Sequence, residues 1–479
     1  MIKLPRRTFL GSSLLAGASA SLSARSWGQV PGANGDVRVA IVGLYGKGKD
    51  HVASFRGLPG VRVVALCDVD RSVLDPAAAA LTANGASVQT FVDYRELLAR
   101  PDIDAVSIVT PNHQHAVQAV WALQAGKDVF LEKPVSHDLW EGQQLLRAAQ
   151  RYERIVQVGV QNRSSPAIAE AIAWQREGHI GKITVARALC YKRRESIGKT
   201  KGPQPLPPGV DYDLWLGPAP RAPLRRTRFH YDWHWQWATG NGDIGNQGNH
   251  QLDVARRFLG EALLPPRVRS VGGRFGYVDD GETPNTMIAA YEYANAPLLF
   301  ELRGLPSSPA ASTSMDEYRG LSVGNIIDCE GGYISVPSRD YSSAQAFDRT
   351  GRLLREFKGH ASHYENFIRA VRSRRSAELN APLKEGHISS ALAHLANISL
   401  RIGQQARPRE VSEPFAEALS RMQEHLQQNQ VDLIRTPLRH GALLSLDPSD
   451  ESFLGEHAAA ARRWARTPHR KPFVLPDLA

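Results

Sequence analysis

The stretch Val37-Arg38-Val39-Ala40-Ile41-Val42-Gly43-Leu44-Tyr45-Gly46-Lys47-Gly48 decides the fold. Its first six residues form an apolar, β-branched run of strand length. The next six form a glycine-rich turn that leads into a helical stretch reaching about residue 58. Strand, glycine turn and helix open a βαβ unit, and the backbone N–H groups of such a turn cradle a pyrophosphate at the helix N-terminus. The spacing G-x-G-x-x-G asks for glycine at 43, 45 and 48. Gly43 and Gly48 comply, Tyr45 does not, and Gly46 is extra. The context carries more weight than the spacing, because a second strand closes on Cys67-Asp68. An acid at that point accepts hydrogen bonds from ribose hydroxyls and repels a 2′-phosphate. The expected cofactor is therefore NAD, with Arg71 near enough to keep NADP as the lesser choice.

Outward from this turn, short apolar runs at 61–66, 88–91, 105–109, 129–131 and 155–158 alternate with helical segments at 77–81, 94–98, 114–125 and 137–152. That alternation predicts a parallel Rossmann sheet over residues 34–159. Beyond 160 it stops. A helix at 167–177 and a strand at 182–191 precede an irregular stretch, 199–250, that contains Pro203, Pro205, Pro207, Pro208, Pro218, Pro220 and Pro223. A structureless stretch of that length inside a compact domain is usually functional. Strand patterns at 267–275, 286–293, 298–303, 326–329 and 333–336, then helices at 363–372 and 386–403, predict a second, α+β domain over 160–410 with a largely antiparallel sheet. Residues 411–479 read as a polar extension of weak pattern that wraps a surface.

The 479 residues include 42% hydrophobic and 22% charged side chains, which excludes a disordered or fibrous chain. The net charge is +10, and no basic run is interleaved with aromatics, so no nucleic-acid partner is expected. Three of the basic residues are Lys3, Arg6 and Arg7, within Pro5-Arg6-Arg7-Thr8-Phe9-Leu10 and ahead of an Ala/Ser/Gly-rich stretch to Ala24. This is the twin-arginine secretory pattern. It predicts a signal and linker at 1–33, cleavage after Ala20 or Ala24, and a periplasmic or secreted protein exported folded with its cofactor in place. No run of 18 apolar residues suggests a membrane span. Cys67, Cys190 and Cys329 are too few and too scattered for a disulfide framework or a metal cluster, and no metal is expected.

Two further motifs follow strands of the first domain. Thr110-Pro111-Asn112-His113-Gln114-His115 comes after the fourth and Glu132-Lys133-Pro134 after the fifth. Loops at strand C-termini line the ligand crevice of such folds. An ammonium at Lys133 would hydrogen-bond a reacting hydroxyl and stabilise the developing alkoxide. Together with Val39-Ala40-Ile41-Val42-Gly43, Cys67-Asp68-Val69-Asp70 and Gly245-Asn246-Gln247-Gly248-Asn249-His250, these motifs resemble the glucose–fructose oxidoreductase/inositol dehydrogenase/MocA (Gfo/Idh/MocA) family over about residues 36–405. The stretch from Tyr212 to Trp235 is similar to a secreted subgroup of it. The resemblance implies a Rossmann domain, a C-terminal domain with an open sheet, and NAD(P)-dependent oxidation of a sugar or cyclitol hydroxyl. It also implies a homodimer or homotetramer formed through that sheet.

The same resemblance names the site. Gly43, Tyr45, Gly46, Gly48, Asp68, Arg71, Thr110, Pro111, Asn112, His115, Glu132 and Lys133 are the expected cofactor residues. An Asp-x-x-x-His segment of the family maps onto Asn246 and His250. Asparagine orients a hydroxyl but takes no proton, so the proton falls to His250 with Lys133 as partner. Asp253 could orient the imidazole or face solvent. The aromatic loop with His230, Trp233, His234 and Trp235, and the basic residues Lys192 and Arg193, are expected at the substrate, because aromatic planes suit the C–H faces of a sugar. Two other readings stand beside dehydrogenation. One is an NAD-dependent glycosidase working by transient oxidation and elimination, and the other is a non-catalytic sugar-binding protein.

Overall fold

The computed structural model describes residues 35–339, 341–404 and 413–478. The twin-arginine segment lies outside the described residues. The first domain is a six-stranded parallel sheet of order β3-β2-β1-β4-β5-β6. Its strands are β1 (Val37–Val42), β2 (Val61–Cys67), β3 (Gln89–Phe91), β4 (Ala105–Ile108), β5 (Asp128–Leu131) and β6 (Val156–Val158). The interleaved helices are α1 (Lys47–Arg56), α2 (Arg71–Ala83), α3 (Tyr94–Leu98), α4 (Asn112–Gln124) and α5 (Leu139–Tyr152). β4, β5 and β6 are buried throughout, as strands covered on both faces by helices must be. Acids start the helices: Asp70 caps α2 by accepting from the Ser72 N–H at 2.8 Å, and Asp138 caps α5 by accepting from Glu141 at 2.9 Å. The strand ends β1, β4 and β5 therefore deliver the three motif loops to one edge of one sheet.

The second domain is built on an eleven-stranded mixed sheet of order β14-β13-β12-β11-β7-β10-β9-β8-β16-β17, with β15 also on β8. The strands are β7 (Ile183–Tyr191), β8 (Arg267–Gly273), β9 (Thr286–Glu292), β10 (Leu298–Arg303), β11 (Val323–Cys329), β12 (Gly332–Pro337), β13 (Ser343–Asp348), β14 (Leu353–Lys358), β15 (Arg439–His440), β16 (Leu444–Asp447) and β17 (Ser452–Leu454). Every pairing is antiparallel except β10 with β7. Helices α6 (Pro166–Arg176), α8 (Asn249–Leu259) and α10 (Leu383–Ile402) fill the core on one face. Two short helices, α7 (Tyr212–Leu216) and α9 (His363–Ser373), pack against the first domain. β13 and β14 escape sequence reading because an edge ribbon needs no apolar period, and β14 is exposed at every residue except Phe357.

Much of the polar extension is built into the fold, and its end, after Trp464, runs over the surface without helix or strand. Residues 413–428 form α11 (Glu413–Gln428), 439–454 add three strands to the sheet, and α12 (Ala458–Trp464) follows. α11 lays Phe415, Ala418, Met422 and Leu426 on Val271, Ile288 and Leu299. Burying the Phe, Met and Leu side chains contributes about 1.5–3 kcal/mol each. The sheet face expected to stay open for a partner subunit is thus covered, along β8 to β10, by a helix of the same chain. The three cysteines are buried and free. Among the described residues no helix is long and apolar enough to cross a membrane.

Candidate active site

The glycine turn has the geometry of a phosphate cradle. Gly43 has φ +85°, and a Cβ there would lie 2.8 Å from the Val109 carbonyl carbon, so only glycine fits. A Cβ at Gly48 would run into the Gly43 carbonyl, which keeps α1 close against β1. Gly46, also at positive φ, stands at the helix N-cap. Asp68 sits at the end of β2, accepting from the Leu44 N–H (2.8 Å) and the Asp70 N–H (3.0 Å). Burial pushes its carboxyl up, against the two donors that hold it down. One cavity runs from Gly43 and Tyr45 past Asp68 and Thr110-Pro111 to Val92, Tyr94, Trp121 and Phe473. Glycines with no room for a Cβ, a ribose-level acid and an apolar far end fit a dinucleotide's pyrophosphate, ribose and base in that order.

Several expected cofactor residues stand elsewhere. Arg71 is exposed, turned to Asp75 at 3.9 Å, and does not line the cavity. Asn112 is buried and donates to Asn241 across the domain boundary at 3.0 Å. His115 lies between the Thr110 carbonyl (2.7 Å) and the Pro134 carbonyl (2.6 Å), tying two motif loops together. Glu132 is buried under the loop. It accepts from His51 Nε2 (3.0 Å), Gln161 Nε2 (3.1 Å) and the Lys133 N–H (3.2 Å). His51 Nδ1 in turn pairs with the Ser107 hydroxyl at 2.7 Å. Burial would raise the Glu132 carboxyl, yet the His51 contact and the charge of Lys133 hold it well below the usual range. None of these four lines the dinucleotide cavity.

Conversely, two residues expected at the substrate line the dinucleotide cavity. His230 bonds Asp70 at 2.7 Å and stacks on the Tyr45 ring at 4.4 Å. Trp233 donates to the His230 carbonyl at 3.0 Å. Tyr45 thus lines the cavity with its ring against the irregular loop.

Lys133 leaves the end of β5 toward the second domain. Its Nζ donates to the Asn246 carbonyl at 2.6 Å. Burial lowers the ammonium, while Glu132 and Asp243 push it back up. Residues Ile244–Gly248 form a π-helical turn ahead of α8, a distortion that recurs at functional sites. Asn246 consequently serves Lys133 through its backbone, and its side-chain amide points to Asp243 at 3.4 Å. Burial and the Lys133 charge hold His250 down at about 3, so its ring is neutral, and its buried Nδ1 makes no hydrogen bond. Asp253 neither orients that ring nor faces solvent. It is fully buried and paired with Arg163 at 2.8 Å and Ser389 at 2.8 Å.

Beside Asn246 stands Asp243, which sequence reasoning left unassigned, with Arg194, expected at the substrate together with Lys192 and Arg193. Asp243 is gripped by Arg194, whose Nε and Nη2 reach its two oxygens at 2.6 Å each. Arg194 also donates to the Tyr231 hydroxyl at 2.8 Å and lies 5.4 Å over the buried Trp235 ring. His234 bonds the Tyr231 carbonyl through Nδ1 at 2.6 Å, which fixes the proton there and leaves Nε2 as acceptor. Burial brings this ring, too, to about 3. Lys192 reaches the Gln247 side chain at 3.1 Å, whereas Arg193 turns away to Tyr277 and the Ser312 carbonyl. A signal for Asp243 existed: it sits one helical turn before Asn246, on the segment already suspected.

With this geometry the comparisons agree. The oxidoreductase-family profile with an NAD-binding Rossmann fold matches residues 37–160, and the profile of that family's C-terminal alpha/beta domain matches residues 171–272. Both stretches match models of the Gfo/Idh/MocA oxidoreductase family. Among Gfo/Idh/MocA relatives, a levoglucosan dehydrogenase of Pseudarthrobacter phenanthrenivorans is 28% identical over 265 residues, 52% of this chain and 60% of its own length. A glycosyl hydrolase family 109 protein of Shewanella sp. is 36% identical over 129 residues, 25% of this chain and 27% of its own. The chain thus spans less than two-thirds of the length of these two relatives. In fold, it is similar to the WlbA dehydrogenase of Bordetella pertussis in complex with NADH and UDP-GlcNAcA, at TM-score 0.55, 20% identity, and 77% and 97% of the two chains. It is also similar to a levoglucosan dehydrogenase in complex with NADH, at TM-score 0.56, 19% identity, and 75% and 97%.

Proposed function

We propose that this chain is an NAD-dependent oxidoreductase acting on a hydroxyl group of a sugar, glycoside or cyclitol, exported folded by the twin-arginine route with its cofactor held in place. The observation that carries the reading is Lys133, delivered from the end of β5 to the Asn246 carbonyl at 2.6 Å, with the neutral His250 one turn further on. NAD, when bound, supplies a hydride acceptor. Gly43, Gly48 and Asp68 would hold it. The residues of this chain do the rest. His250 receives the hydroxyl proton, and the Lys133 ammonium donates to the oxygen as negative charge develops there, an interaction strongest in the transition state. The levoglucosan dehydrogenase relative supports the substrate class. Export rests on Arg6-Arg7 and the stretch behind them.

A second reading is favoured by the glycosyl hydrolase family 109 relatives: oxidation, elimination of the glycosidic bond and reduction, with no net use of NAD. Incubation with p-nitrophenyl glycosides, with and without added NAD, separates the two. NADH or a keto-sugar without nitrophenol means dehydrogenation. Nitrophenol without net NADH means cleavage. Neither product, with sugar bound, means a binding protein and refutes the proposal.

A further inference from the structure

The dinucleotide cavity has a wall that no strand of the Rossmann sheet provides. Phe473, buried within the segment after α12, lines its far end beside Trp121, 6.1 Å away between ring centroids. The segment that carries Phe473 is tied down on both sides of the cavity. On the Rossmann side, the Thr467 N–H donates to Asp138 at 2.6 Å and His469 bonds Glu141 at 2.7 Å, both on α5 and its cap. On the other side, Arg470 pairs with Asp213 on α7 at 3.0 Å, and its N–H donates to the Pro218 carbonyl at 3.0 Å. α7 itself brings Trp215 to the same cavity. The guanidinium groups of Arg95 and Arg470 lie 5.5 and 4.8 Å over the Phe473 ring and fix its position.

We propose that residues 465–478 form a clasp over the base-binding end of the cofactor site, with Phe473 as its wall, and that unlatching this clasp is the step that limits nucleotide release. The proposal rests on the NAD-binding reading of the cavity. A base that must leave past Asp68 meets Tyr45 and His230 at one mouth and Phe473 at the other. The cofactor then behaves as a resident group, as export without a nucleotide supply demands.

The test measures nucleotide, not turnover. Purified full-length protein is loaded with NADH, and release into excess NAD is followed by NADH fluorescence, for the natural chain and for Phe473→Ala, Arg470→Gln and a chain stopped after Ala465. Loss of an aromatic wall against a base is worth about 10- to 100-fold in release rate, and the same order is expected for each variant. Limited proteolysis supplies the second readout: NADH should slow cleavage between Thr467 and Leu478 in the natural chain. Release within twofold of the natural rate in Phe473→Ala and Arg470→Gln, both folded by circular dichroism, overturns the clasp even if the stopped chain fails to fold. Failure of the natural chain to bind NADH at all overturns the nucleotide reading beneath it.

Discussion

Glu132→Gln tests whether the Glu-Lys-Pro motif works through a buried charge. Three donors converge on this carboxylate: His51 Nε2 and Gln161 Nε2 on one oxygen, and the Lys133 N–H on the other. Glutamine keeps the volume but has one oxygen. With that oxygen toward His51 and Gln161, its NH2 faces the Lys133 N–H, and one buried donor is orphaned. A Cβ at Gly159 would come within 2.5 Å of Glu132 Oε1, so the site has no spare room for a rescuing water. An orphaned buried donor costs about 1–3 kcal/mol. Glu132→Ala breaks the whole set and should cost about 3–5 kcal/mol, the usual penalty for stripping a buried pair. The charge matters separately. Glu132 is the largest influence raising Lys133 against its burial. Neutral glutamine removes that support, the ammonium loses its proton at lower pH, and the alkaline limb of kcat/KM should move toward acid. Denaturant unfolding measures the first effect and a pH–rate profile the second. If both variants unfold at the natural midpoint, or the alkaline limb of Glu132→Gln stays or moves upward, the charge-support argument is wrong.

The other predictions address the cleft and the turn. Lys133→Ala should lower kcat by about 10²–10³ while bound nucleotide is retained, His250→Ala should do similar damage, and Asn246→Ala should be milder, because a backbone carbonyl survives the substitution; steady-state kinetics on the three decide it. Because His250 and His234 are both held at about 3, the acid side of the natural kcat/KM profile should stay flat down to about pH 5, where an ordinary histidine would already have titrated. Gly43→Ala places a side chain at φ +85° and 2.8 Å from the Val109 carbonyl carbon. The left-handed conformation alone costs about 1–2 kcal/mol. NAD affinity by calorimetry should fall by about tenfold or more, and unchanged affinity would show that the turn does not hold the phosphates.

Much of the first domain was legible in the sequence because its signals are local. β1 and the glycine turn announce themselves within twelve residues, and Asp68 and Lys133 are placed by the strand ends they follow. An apolar run can be read as a buried parallel strand because burial on both faces imposes that composition. The α+β character of the second domain followed from successive strand-length runs in the same way. What the sequence left open are contacts between segments far apart in the chain. Nothing local reveals that His230 stacks on Tyr45 and leaves the substrate side, or that Arg194 occupies Asp243. Nor does it show that Glu132 and His115 face inward as struts. α11 has an amphipathic period, but only the tertiary structure shows that its apolar face lies on the sheet expected to meet a partner. Motif spacing determines which groups reach a strand end. Which neighbour each group then faces depends on the packing of loops contributed from 100 residues or more away, as with Gln114 on Leu214 and Lys133 on Asn246, and only the folded chain sets that packing.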